Sequence, residues 1–167
     1  MEKRAWQVGI GVVIAAAVGA VVIDSMGPGA GGAAPTLSVD VEAEVGGMGG
    51  ARFTYAARLS AWARPAGQGR ACLIALGRSG ELLAPGRELT RKGEAWHLEE
   101  AASTICGGHV GPADLIALEG GSCQEAAALV ARVRGAERPL DVVASVVESS
   151  AGWRWGSARV YLHDKLP

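Results

Sequence analysis

The sequence has few aromatic residues, no excess of either charge and none of the common catalytic motifs. Aromatic residues make up 5% of its 167 residues, with one Phe, two Tyr and five Trp. Its 16 Lys and Arg are balanced by 17 Asp and Glu, whereas a nucleic-acid-binding protein needs a clear basic excess. The composition therefore argues against nucleic acid as a partner, and the length predicts a single folded domain.

The sequence also lacks the signatures of a catalytic or cofactor site. We find no phosphate-binding loop, no G-x-S-x-G nucleophile turn and no H-E-x-x-H zinc motif. The three His residues are scattered along the chain. The stretch "GGMGG" at 46–50 lacks the lysine of a phosphate-binding loop, and it predicts a hairpin turn instead. We therefore expect a protein that is not an enzyme, with no catalytic residues, no cofactor and no metal.

The longest apolar run extends from Ala5 to Ile23 and contains Gln7 as its one polar residue. As a helix it would measure about 28 Å, close to the hydrocarbon thickness of a bilayer. Lys3 and Arg4 precede the run, so the positive-inside rule keeps the N-terminus in the cytoplasm. We predict a transmembrane anchor at 1–24, followed by an exported domain. A cleaved signal peptide is the alternative, although its apolar region is normally shorter.

Small residues recur at every fourth position of the predicted anchor, at Gly11, Ala15 and Gly19. Such a face lets a second helix approach closely within a bilayer. It suggests an alternative role, that of an accessory structural subunit of a multi-protein membrane complex. Residues 25–35 are rich in Gly, Ala and Pro, which predicts a flexible linker leading to an exported domain at 36–167.

The exported domain begins with two segments that alternate between apolar and polar residues. "LSVDVEAEV" and "RFTYAARLSAW" predict a hairpin of half-buried strands. The inward positions of the second strand are expected to be Phe53, Tyr55, Ala57 and Leu59. The uninterrupted apolar run "ACLIAL" predicts a central strand, buried on both faces.

Helical signals follow later in the domain. Ser122 and Glu125 have the spacing of a capping box, which predicts a helix at about 123–134. "PLDVVASVVESS" is ambiguous, but Pro139 fits the first turn of a helix and favours a second one there. The segment "WRWGSARVYL" predicts a closing strand. The predicted fold class is α+β, with a mainly antiparallel sheet and one or two helices.

The three cysteines allow a disulfide, a metal site or a thiol nucleophile. Disulfides form in the oxidising space outside the cytoplasm, and we predict one between Cys106 and Cys123. Cys72 is expected to be a small buried hydrophobe, and its pairing with one of the other two is the alternative. A zinc site on Cys106, His109 and Cys123 would lack a second pair of closely spaced ligands. A Cys106 nucleophile with His109 as its base would be prone to oxidation outside the cell.

Alternation along the closing strand places Trp153, Trp155, Arg159 and Tyr161 on one face, together with Ser157 and His163. The opposite face, with its small apolar residues, is the natural core side. Trp, Tyr and Arg are typical anchors of protein interfaces, so these four residues predict a partner-binding surface. The alternatives are that the helix or the segment at 94–98 covers this face, that a bulge at Gly156 reverses the alternation, or that the face binds a glycan.

The segments "ACLIALGRSGELLAPGRELTRKGEAWHL", "GPADLIALEGG", "EAAALVARVR" and "WRWGSARVYL" follow one another in this order. This order resembles an uncharacterised bacterial domain family over residues 56–162. Members of that family are appended to Ser/Thr kinases or caspase-like peptidases, or stand as small membrane-anchored proteins. The resemblance implies an accessory or interaction module and identifies no site residues.

These patterns together predict a single-pass protein of the bacterial cytoplasmic membrane. Its C-terminal domain would lie in the periplasm or outside the cell. We expect a non-catalytic binding or assembly module whose partner is another envelope or membrane protein.

Overall fold

A computed structural model describes residues 34–47 and 51–164. The predicted anchor at 1–24, its residues Gly11, Ala15 and Gly19, and the linker as far as residue 33 lie outside these ranges. Among the helices that are described, none has the length and apolar character of a membrane span. The elements, in chain order, are β1 Ser38–Gly47, β2 Arg52–Arg64, β3 Ala71–Leu76, β4 Arg87–Glu88, β5 Thr90–Lys92, β6 Ala95–Ala101, α1 Ala102–Cys106, β7 Gly111–Glu119, α2 Cys123–Val130, a 3-10 turn Ala131–Val133, α3 Pro139–Glu148 and β8 Arg154–His163.

The strands form one mostly antiparallel sheet that nearly closes into a barrel. The strand order is β4-β3-β7-β8-β2-β6-β5, with β1 paired to β2, and the short β2–β8 contact is parallel. The lead into β1 approaches the start of β8, where the backbone N–H groups of Thr36 and Leu37 both donate to the Trp155 carbonyl. A Cβ atom on Gly156 would lie 2.1 Å from the Leu37 oxygen, so glycine is what permits this approach. The structure thus confirms the mainly antiparallel α+β fold.

The β1–β2 hairpin is present as the alternation predicted, with Ser38 opposite Arg64. Phe53 and Leu59 are buried on its inner face. The pairing register shifts near the turn, between Ala43 and Gly47. As a result, residues 54–57 of β2 have no partner in β1. Tyr55 lies in this irregular stretch and is 42% exposed. The expectation that Tyr55 points into the core is therefore wrong.

The sheet separates two apolar cores. The interior core lies inside the curved sheet and includes Leu59, Leu73 and Leu115. The helix-side core lies between the outer face of β3, β7 and β8 and the helices α2 and α3, and includes Ile74 and Ile116. Because both cores contact β3, all six of its residues are buried. This confirms the prediction of a central strand.

Both predicted helices are present. Ser122 and Glu125 form a complete capping box at the start of α2, with the Ser122 hydroxyl accepting from the Glu125 N–H and the Glu125 carboxylate accepting from the Ser122 N–H. The α-helix ends at Val130 and continues as a 3-10 turn, so it is shorter than predicted. Helix α3 begins at Pro139, which needs no hydrogen-bond partner in the first turn of a helix.

The disulfide joins Cys72 to Cys123, so the prediction of a Cys106–Cys123 bond is wrong. The two sides of the sheet explain the pairing. Cys72 points from β3 into the helix-side core, where α2 begins with Cys123. Cys106 ends α1 and lies in the interior core, where its thiol is free and buried. Sequence spacing had suggested the nearer cysteine, but the sheet lies between it and Cys123.

Candidate partner-binding surface

The outer face of β8 is covered by helices along its first half and open along its second. Trp155 lies in the covered half, is 2% exposed and belongs to the helix-side core with Val143 and Val147 of α3. Trp155 therefore cannot serve as a partner-binding residue, which corrects the prediction for this position. Coverage by a helix, the alternative drawn from the sequence, is what occurs at this end of the strand.

Trp153 precedes β8 and is half-buried. Its indole packs on the backbone of Gly120 and Gly121, where added Cβ atoms would lie 2.8 and 2.9 Å from ring carbons. The indole also lines an open groove of about 380 Å³ beside α2. The lining residues are Glu125, Ala128, Leu129, Arg132, Ser150 and Trp153. This packing leaves Trp153 only partly exposed.

Arg159 and Tyr161 lie in the open half of β8. Arg159 faces Asp114 across the β7–β8 pair, and Nε and an Nη atom of its guanidinium donate to the two carboxylate oxygens at 2.8 and 3.0 Å. Asp114 is 4% exposed, whereas Arg159 is exposed. The two hydrogen bonds to Asp114 hold the Arg159 guanidinium in position and also raise its pKa.

Tyr161 is 47% exposed and is flanked by a strand on each side. It lies opposite Pro112 of β7 and opposite Arg52 of β2. The His163 ring lies 5.8 Å from the Tyr161 ring, measured between centroids. The Nε2 atom of His163 is shielded from solvent and has no hydrogen-bond partner within the described part of the chain.

We call the set of Arg52, Arg159, Tyr161 and His163 the β8 patch. Two of the four predicted partner-binding residues, Arg159 and Tyr161, belong to this patch. Trp153 lies outside it, before the start of β8. The alternation also places His163 on this face, although it was not among the predicted partner-binding residues, and the sequence pattern did not bring Arg52 to it. Arg52 comes to the patch through the parallel β2–β8 contact, which joins strands that are distant in sequence.

The Cys106 thiol has the properties of a structural residue. Burial raises its pKa to about 12, and a thiol that stays protonated is a poor nucleophile. The ring of His109 forms a hydrogen bond with the Pro112 carbonyl at 3.1 Å. Among residues 34–47 and 51–164, no group of three or more His, Cys, Asp or Glu side chains is arranged to hold a metal ion.

A second polar cluster lies on the outer face of β2 and β6, where the sequence pattern had raised no expectation. His97 is buried against the Trp62 ring, with centroids 4.1 Å apart, and its Nε2 lies 3.0 Å from the Ser60 hydroxyl. Burial lowers the pKa of His97, Lys92 lowers it further, and Glu99 partly opposes the shift. The alternation in "LSAWAR" contained the signal, because it places Ser60, Trp62 and Arg64 on the outer face.

A buried carboxylate at the same end of the sheet has a structural role. Glu119 ends β7, is almost fully buried, and one of its oxygens accepts three hydrogen bonds. The donors are the Gly67 N–H at 3.0 Å, the Trp96 indole N–H at 2.9 Å and the Arg154 guanidinium at 3.1 Å. Because every donor comes from a different segment, Glu119 holds the loop after β2, β6 and β8 together.

In comparisons with known proteins, no family model, no curated protein and no solved structure matches the chain. The resemblance seen in the order of the sequence segments stays a prediction. The geometry of the surface is therefore the basis for a functional proposal.

Proposed function

We propose that this protein is a non-catalytic binding or assembly module, held at the outer face of a bacterial cytoplasmic membrane by residues 1–24. Its partner is another envelope or membrane protein. The observation that carries the binding role is the pair formed by the exposed Tyr161 and the anchored Arg159. The Cys72–Cys123 disulfide and the apolar run at 5–23 support a location outside the cytoplasm.

Rigidity makes the β8 patch suitable for recognition. Immobilising a flexible side chain on binding costs about 0.5–1.5 kcal/mol. Arg159 has already lost much of this freedom, because two hydrogen bonds attach it to Asp114. Tyr161 stands on a strand that is paired on both sides at that position. Tyr and Arg supply a large share of binding energy at protein interfaces, so the pair provides a preformed anchor.

A photo-crosslinking amino acid placed at Tyr161 of the full chain tests the binding role in native membranes. Placement at Glu137, which is exposed between the 3-10 turn and α3, is the matched control. We expect a discrete protein adduct from position 161 that is absent from position 137 and weaker in an Arg159→Gln background. Equal adducts from both positions, or none from 161, would contradict a partner at the β8 patch.

The location is tested by labelling intact spheroplasts with a maleimide that does not cross membranes. The buried Cys106 gives little background reaction, so an exposed Ser149→Cys substitution supplies the reactive thiol. We expect labelling before lysis. Labelling that requires lysis would place the domain in the cytoplasm and remove the basis for export.

The spacing of Gly11, Ala15 and Gly19 favours a second candidate function, that of a structural subunit packed through the anchor. Gly11→Leu with Gly19→Leu separates the two functions. If both substitutions abolish complex formation while the adduct from position 161 persists in isolated membranes, the subunit role is independent of the β8 patch.

A further inference from the structure

Within the described part of the chain, β1 is paired along only one of its two edges. Its ten residues, Ser38–Gly47, pair with β2 alone. β8 occupies the beginning of the other edge, where the N–H groups of Thr36 and Leu37 donate to the Trp155 carbonyl. Beyond this point, no backbone hydrogen bond joins residues 38–47 to a described segment other than β2. Every second residue of a strand directs its N–H and C=O groups away from a single partner, so this side of β1, which we call the β1 edge, presents a row of backbone donors and acceptors.

The side chains of β1 indicate what kind of strand would pair with this edge. Val41 and Ala43 are half-buried and pack against the interior core. Asp40 and Glu42 are exposed on the outer face, opposite uncharged residues of β2. Neither carboxylate forms a salt bridge within residues 34–47 and 51–164. An added strand would therefore meet apolar side chains on one face and carboxylates on the other.

The cations of the same outer face lie farther from the β1 edge. Arg58 and Arg64 belong to β2, and Arg58 forms an ion pair with Glu99 of β6. Lys92 belongs to β5, on the far side of β6. The face as a whole is close to neutral, but the charged side chains described in its outermost column, that of β1, are the two carboxylates. A strand added beside β1 would adjoin this acidic column directly.

We propose that an extended segment of a partner protein, in which basic and apolar residues alternate, adds to β1 as a further strand. Backbone hydrogen bonds supply the affinity in this mode of binding, and side chains at alternate positions supply the specificity. The basic side chains lie beside Asp40 and Glu42, because opposite charges on neighbouring strands stabilise their pairing. The intervening apolar side chains cover Val41 and Ala43. The inference requires neither the β8 patch nor the membrane anchor.

The acidic column argues against a second copy of β1 as the occupant. If two β1 strands paired antiparallel around Val41, with their apolar residues on one face, Asp40 and Glu42 of one copy would lie opposite the same two carboxylates of the other. Like charges in this position destabilise a sheet. Charged side chains on an edge strand protect a protein against self-association in this way, whereas a partner strand of opposite charge is favoured.

Amide hydrogen exchange of the full chain in nanodiscs of phosphatidylcholine, followed residue by residue, tests the inference. The probe is a capped peptide of sequence KVKVKV, which has the alternation that the β1 edge requires. One control peptide, KKKVVV, has the same composition without the alternation, and a second, EVEVEV, has the opposite charge. A third is KVKVKV with every backbone nitrogen methylated, which keeps the charge but removes the backbone donors.

Without peptide, we expect every second amide of residues 39–43 to exchange rapidly, because its N–H points away from β2. KVKVKV at about four times its Kd should slow these amides about fivefold, since the slowing is one plus the ratio of peptide concentration to Kd. The three control peptides should have little effect at the same concentration.

Reversal of the edge charge should reverse the preference. In Asp40→Lys with Glu42→Lys, EVEVEV should protect the β1 edge and KVKVKV should not. The matched control is Glu137→Lys with Glu148→Lys, which changes the net charge equally at exposed positions before and at the end of α3. This control variant should keep the preference for KVKVKV.

Slow exchange of every amide in residues 39–43 before any peptide is added would overturn the inference, because another segment of the chain would then cover the β1 edge. Equal protection by KVKVKV and its methylated form would also overturn it, since charge attraction without strand pairing would explain both. The same conclusion follows if KVKVKV gives no protection or if the charge reversal leaves the preference unchanged. None of these results bears on the β8 patch, so the two proposals fail separately.

Discussion

The Asp114 carboxylate and the Arg159 guanidinium are joined across β7 and β8 by two parallel hydrogen bonds. The carboxylate is almost completely buried, while the guanidinium remains largely in solvent. Asp114 thus depends on Arg159 for its interactions, and Arg159 depends on Asp114 for its position. The same pair supports the stability of the sheet and the shape of the β8 patch.

Arg159→Met should destabilise the protein by about 1–3 kcal/mol, because it leaves a buried carboxylate without its charged partner. Asp114→Leu combined with Arg159→Met should recover much of this loss, since no buried charge then remains. Urea unfolding measures both. The control is Arg70→Met, whose partner Glu88 is exposed, and its cost should be below about 1 kcal/mol. Similar losses for Arg159→Met and Arg70→Met would contradict this account.

Removal of the disulfide by Cys72→Ala with Cys123→Ala should lower the free energy of unfolding by about 4 kcal/mol. The estimate follows from the loop-closure entropy of a bond that spans 51 residues. Thermal unfolding of the full chain, with and without reductant, measures the change. Reductant should have little effect on the double variant. Peptide mapping that recovers a Cys106–Cys123 bond would show the described pairing to be wrong.

The Cys106 thiol should resist alkylation in the folded protein and react once the protein unfolds. Its pKa of about 12 exceeds that of an unfolded thiol, so the unfolded state loses this proton first as the pH rises. Its contribution to stability is complete below about pH 9 and is lost between about pH 9 and about pH 12, by roughly 1.4 kcal/mol per pH unit at most. Cys106→Ala should reduce this alkaline slope. Equal slopes for both proteins would argue against a buried thiol.

His97 should titrate below the ordinary range for histidine, since burial and Lys92 both lower its pKa. The unfolded state therefore binds a proton more readily, so stability should fall as the pH drops below about 6.5. NMR titration of the His97 ring measures the pKa directly. Lys92→Gln should raise it, because a positive charge is removed, whereas Arg132→Gln should leave it unchanged. An unchanged value in Lys92→Gln would show that Lys92 has no such effect.

Local features of the fold could be predicted wherever neighbouring residues decide the structure. The Ser122–Glu125 capping box is complete within four residues, and Pro139 begins α3 by its fixed backbone angle and missing N–H. The alternation of "LSVDVEAEV" predicts its strand for the same reason. Tyr55 escaped prediction because a register shift between β1 and β2 interrupts the alternation there, and that shift has no local signature.

The candidate surface was predicted in part for a related reason. The alternation of the sequence predicted that Trp155, Arg159 and Tyr161 lie on one face of β8, and the strand in the structure places them on one face. Which of them contacts solvent depends on where α2 and α3 pack, and those helices cover Trp155 but leave Tyr161 exposed. The cluster around His97 also combines residues from β2, β5 and β6, whose adjacency comes from the strand order.

The sequence by itself determined the hairpin, the two capped or proline-initiated helices and the strand buried on both faces, because each depends on interactions within a few residues. Only the tertiary structure decided that Cys72 pairs with Cys123, that Trp155 is core and that Arg159 is fixed by Asp114. These outcomes depend on which face of the sheet a residue occupies and on which distant segment covers that face, and spacing along the chain carries no information about either.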